Sequence, residues 1–122
     1  MTPRQQLSLI DERDEDPYVR TVLERYRTTP TTAGYVRRAD RQLAAQLYHR
    51  GIPLTLIEAA FTLAATRRLF RPHEAPPLNP VRSLHYFLPV IEELLREPPD
   101  PDYIRCLEWK LRHRDQYGLT NG

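Results

Sequence analysis

One cysteine, four glycines, two serines and a single lysine in 122 residues set narrow limits on what this chain can be. Cys106 alone cannot close an intramolecular disulfide or supply a cysteine-based metal site, which fits a reducing, cytoplasmic setting. Gly34, Gly51, Gly118 and Gly122 form no pair of the kind that cradles a phosphate. His49, His73, His85 and His113 are too scattered for a local zinc motif, so no metal and no cofactor is expected. Ser83 and His85, two apart, point in different directions on a helix and make a poor nucleophile–base pair. Adjacent Glu92 and Glu93 diverge in the same way and read as solvated surface. An enzyme is therefore not expected. Long apolar runs are missing too: Ile52–Ala65 is too short to span a bilayer and contains Glu58. The start, MTPRQQLSLIDERDED, has no basic segment followed by an apolar one, so no secretory signal and no membrane partner are expected.

Strand signals are equally scarce, with no sustained alternation and no Asn-Gly hairpin between β-branched runs. What remains is helical periodicity, and it predicts an all-α single-domain bundle of about five helices. Residues 1–15 read as a flexible acidic arm, 16–117 as the helical domain and 118–122 as a frayed tail. Asp16-Pro17 has the form of an N-cap with proline at the first helical position, opening a helix with Val19, Val22, Leu23 and Tyr26 on one stripe. After the TTPTTAG loop a second helix is expected over roughly 36–50, with Gly51 as its left-handed terminator. The third, roughly 53–70, is apolar except for a strip of Thr55, Glu58, Thr62 and Thr66, so it is expected in the centre. A proline-rich loop follows. Ser83 then caps a fourth helix in which Pro89 imposes a kink or splits off a first turn. Asp100-Pro101 repeats the cap-plus-proline start, and Ile104, Leu107, Trp109 and Leu111 are available to dock the last helix.

Charge is unevenly spread. Seventeen of the 18 basic residues are arginine, and between Pro17 and Ile91 eleven arginines stand against four acids. A basic middle attracts an anionic partner. The second and third helices form a helix-turn-helix-like pair around Gly51 and Ile52, but the start of the third offers Leu54, Thr55, Leu56 and Glu58, poor tools for reading base edges. Sequence-independent phosphate contacts are the better reading. Their candidates are Arg37, Arg38 and Arg41 at the start of the second helix, with Arg67, Arg68, Arg71 and Arg82 around the proline loop. Arg67, Arg68 and Arg71 also suit the C-terminal dipole of the third helix.

Residues 51–95, with GIPLTLIEAAF and then YFLPVIEEL, resemble the helical module of DnaD-like replication-initiation proteins and related phage and plasmid replication proteins. In that family a helix follows a G-x-x-x-x-x-I turn, and a later one carries Y-I-x-x-I-L-x-x-W. Tyr86, Phe87, Val90, Ile91 and Leu94 fall on the motif positions, with Pro89 interrupting and Leu94 in place of tryptophan. The resemblance implies binding of single- or double-stranded DNA and contacts with a replication or recombination protein. The expectation is a small non-catalytic nucleic-acid-associated protein, an accessory in replication or transposition of a bacterial chromosome or mobile element. The alternative is a protein–protein adaptor whose arginines answer an acidic partner surface, with the acidic stretch 11–16 covering or regulating that surface.

Overall fold

The computed structural model describes residues 12–72 and 74–117. Five helices follow in order: α1 (Glu12–Thr28), α2 (Arg38–His49), α3 (Leu54–Leu69), α4 (Leu88–Arg96) and α5 (Pro101–Arg112). A 3₁₀ turn, Leu84–Phe87, leads into α4, and a second, Arg114–Tyr117, follows α5. The described residues form no strand beyond an isolated bridge between Thr32 and Val81. No helix among them is long and apolar enough to cross a membrane.

α3 lies in the middle, as its narrow polar strip requires. It packs on α1, α4 and α5, while α2 packs chiefly on α1 and on the first 3₁₀ turn. Ile57, Ala59, Ala60, Phe61, Leu63, Ala64 and Ala65 are buried, and Thr55 is exposed. Phe87 is the hub: its ring meets Phe61 of α3 at 4.8 Å and Tyr26 of α1 at 6.0 Å, both edge-on, the favoured aromatic geometry. Gly51 takes the left-handed conformation (φ 74°) that ends α2 and turns the chain into α3.

The helix starts divide into kept and altered expectations. Asp100 accepts from the Asp102 amide at 2.8 Å, and Ser83 Oγ from the His85 amide at 3.1 Å, as caps should. Pro89 separates the 3₁₀ turn from the body of α4 rather than kinking one long helix. α1, however, begins at Glu12, so Pro17 lies inside the helix instead of opening it. Tertiary contacts offset the lost amide: Tyr18 donates to the Ile52 carbonyl at 2.7 Å and packs on Tyr48, and Glu15 meets His49 at 3.3 Å. The acidic stretch is thus partly helical; residues 1–11, His73 and the tail 118–122 lie outside the described residues. Trp109 does not dock. It is 43% exposed and stacks on His113 at 4.1 Å, leaving Ile104, Leu107 and Leu111 to face the core.

Candidate nucleic-acid interface

The seven candidate arginines separate into two groups with different jobs. Arg67 makes a two-pronged pair with Glu93 of α4 (2.9 and 2.7 Å), the planar fork that favours guanidinium over ammonium. Arg68 lies 5.2 Å from the Tyr86 ring centre, donates to the Tyr86 hydroxyl at 3.1 Å and reaches the Asn79 carbonyl. Arg71 donates to the Pro76 carbonyl at 2.6 Å. This trio fastens α4 and the proline loop to the end of α3. Tyr86 follows the same logic: it is 44% exposed beneath a guanidinium, while Phe87 is the core aromatic. Neither is a free stacking platform.

Arg37, Arg38, Arg41 and Arg82 are exposed, and none forms an ion pair among the described residues. Arg38 and Arg41, three positions apart, share one face of the α2 head, and Arg37 precedes them as its extended N-cap residue. Like charges at that spacing destabilise a helix by about 0.2–0.5 kcal/mol per pair. Arg82 arrives from far along the chain. The Val81 amide donates to the Thr31 carbonyl and the Ala33 amide to the Val81 carbonyl, both at 2.8 Å. One position beyond Ser83, the Leu84 amide donates to Asp40 Oδ1 at 2.9 Å. Asp40 Oδ2 in turn accepts from the Arg37 amide at 2.9 Å, closing the first turn of α2. Segment 81–84 is therefore pinned between the 29–36 loop and the head of α2, with Arg82 two residues before the Leu84 amide that Asp40 holds.

Two details show how tightly this corner is built. Asp40 is fully buried, and its charge is held by amides rather than by arginine, which leaves the guanidinium groups free to face solvent. Thr31 has φ 77°, a conformation costly for a β-branched side chain that persists only where the surroundings impose it. Here the Val81 bonds on either side impose it. On the neighbouring flank an open groove between α1 and α2 is lined by Arg20, Arg27, Arg41, Val36, Asp16 and Glu24, with Arg27 already paired to Glu24 at 2.7 Å. Asp16, from the acidic stretch, thus borders the patch.

No protein family, curated protein or solved structure matches this chain. The patch must be judged by its own chemistry. Among the described residues no three of histidine, cysteine, aspartate and glutamate gather as metal ligands.

Sequence reasoning missed Asp40 as the organiser of this corner and missed the two glutamates of α4. Arg37-x-x-Asp40 has the spacing at which a side chain at the third helical position reaches back to the cap amide, so the first was signalled. Glu92 and Glu93 are not idle surface. Arg50 at the end of α2 holds Glu92 at 2.8 and 3.2 Å, as Arg67 holds Glu93. Those hydrogen bonds keep both carboxyls below the usual glutamate range.

Proposed function

We propose that this chain is a small non-catalytic nucleic-acid-associated protein that grips phosphates through Arg37, Arg38, Arg41 and Arg82. Its work would be accessory, in replication or transposition, beside a replication or recombination protein. The observation that carries the reading is that one buried carboxylate, Asp40, holds backbone amides of two distant segments, and that these segments carry four exposed arginines with no ion pair among the described residues. The Arg38–Arg41 pair sets like charges three apart on α2, and phosphate would relieve that repulsion. Arg67, Arg68 and Arg71 are withdrawn from the interface, since each already has a partner within the chain.

The reading is tested by fluorescence anisotropy with labelled single- and double-stranded oligonucleotides at two salt concentrations. Each of the four arginines changed to alanine should weaken binding for all sequences alike and lower the salt slope by about one unit. Arg71→Ala should leave the slope unchanged. If the intact protein bound neither oligonucleotide at low salt, the adaptor reading would replace this one.

A further inference from the structure

Between α3 and the first 3₁₀ turn runs Pro76-Pro77-Leu78-Asn79-Pro80, all five residues exposed and none in a helix or strand. Its backbone has few choices. The rings of Pro76, Pro77 and Pro80 fix φ near −65°, and Ala75, Pro76 and Asn79, each preceding a proline, are driven toward extended or polyproline II geometry. Polyproline II repeats every three residues. The two carbonyls that the chain itself grips, Pro76 to Arg71 and Asn79 to Arg68, are three residues apart. The end of α3 thus fastens the segment at two carbonyls whose spacing is that of one polyproline turn.

The same threefold repeat sorts the side chains into three edges. Leu78 lies on one; beyond Pro80 the chain leaves the repeat, where Val81, 3% exposed, bridges to Thr32 and anchors the segment in the core. Pro77 and Pro80 form the second, and Pro76 and Asn79 the third. All three are exposed, and Arg82, two residues past Pro80, follows them with an exposed charge that forms no ion pair among the described residues. Segments of this kind bind in grooves lined by aromatic rings, and a polyproline helix that is already formed binds with little loss of entropy.

We propose that residues 76–82 are a preformed docking ligand for a partner domain with an aromatic-lined groove closed by an acidic pocket. The prolines occupy the groove and Arg82 the pocket. The polarity of the segment, prolines first and cation last, sets the direction in which it lies. This site goes beyond the phosphate-gripping patch and shares only Arg82 with it. The prolines carry neither charge nor amide donor, so they add nothing to phosphate affinity.

The test is calorimetric titration of the full chain with a panel of purified SH3 domains whose grooves end in acidic residues. Saturable binding is expected, weakened about tenfold or more by Pro77→Ala/Pro80→Ala, a loss of about 1.4 kcal/mol. Arg82→Glu should weaken it comparably, since it sets like charges against each other across the pocket. Leu78→Ala, on the edge turned from the groove, should leave the affinity within about twofold, and Pro80→Ala alone should retain the fold while still losing affinity. Oligonucleotide binding by Pro77→Ala/Pro80→Ala should match that of the intact chain. Failure of every panel domain to bind, equal binding by the double variant, or loss of oligonucleotide binding in that variant would each overturn the docking proposal. Loss of oligonucleotide binding by the arginine variants bears on the phosphate reading alone.

Discussion

Asp40 and Leu84 are joined across 44 residues by one buried hydrogen bond, carboxylate Oδ1 to backbone amide at 2.9 Å. A buried amide left without its acceptor costs about 1–3 kcal/mol. Asp40→Ala orphans that donor and also frees the Arg37 amide, so it should lower stability by about 2–3 kcal/mol in urea melts. Asp40→Asn keeps an acceptor and should lose less. The neighbouring Tyr26 phenol, pushed up to about 12 by burial first and by the Asp40 charge second, should move down slightly in either variant, since burial remains. Spectrophotometric titration of tyrosinate reads that change.

Core and strip on α3 should respond differently. Ile57→Ala and Phe61→Ala are expected to cost about 2–5 kcal/mol each, as large-to-small changes in packed interiors do. Thr55→Ala, on the exposed strip, should stay within about 0.5 kcal/mol. Equal losses in denaturant melts would contradict the central placement of α3.

The pairs Arg50–Glu92 and Arg67–Glu93 make a prediction about acid. Both carboxyls are lowered in the folded chain by hydrogen bonds from arginine. Such groups add stability above the unfolded glutamate pKa, and that stability disappears as pH falls through the lowered folded value. The window is therefore below about pH 4.5, and salt shrinks the effect because the pairs are exposed. Glu92→Gln/Glu93→Gln should flatten the acid limb of a plot of melting temperature against pH by lowering neutral stability slightly, while stability at low pH stays close to that of the parent. An unchanged acid limb would mean the pairs do not persist in solution.

Thr31 holds a left-handed backbone that glycine adopts without penalty. Thr31→Gly removes the strain but adds freedom to the unfolded chain, a cost of about 0.4–1 kcal/mol. Since the strain is worth about 1–2 kcal/mol, the variant should equal the parent or exceed it by up to about 1 kcal/mol in thermal melts. A clear loss would show that the hydroxyl or methyl of Thr31 contributes packing that outweighs the strain.

Helix periodicity, the Ser83 and Asp100 caps and the near-wholly apolar α3 were legible because each rests on residues within a few positions of one another. The start of α1 was not, because Tyr18 and Glu15 hold it through Ile52, Tyr48 and His49, partners 30 or more residues away. Division of the arginines was hidden for the same reason. Arg67 and Arg37 look alike in the chain, and only the arrival of Glu93 beside one and the burial of Asp40 beneath the other gives them different work. The α4 glutamates show the limit of local reasoning most plainly: adjacent carboxylates diverge on a helix, and divergence is what lets each meet a different helix end.

The clasp of Val81 between Thr31 and Ala33 gives the patch a timing as well as a shape. A chain emerging from the ribosome carries Arg37, Arg38 and Arg41 long before Arg82, and the fourth charge joins them only when the late segment threads against the early loop. Anything that grips all four at once must bind the finished domain more tightly than a partly folded one, and so raises its melting temperature by mass action. If the proposed phosphate grip holds, polyanion affinity would measure how completely this chain has folded.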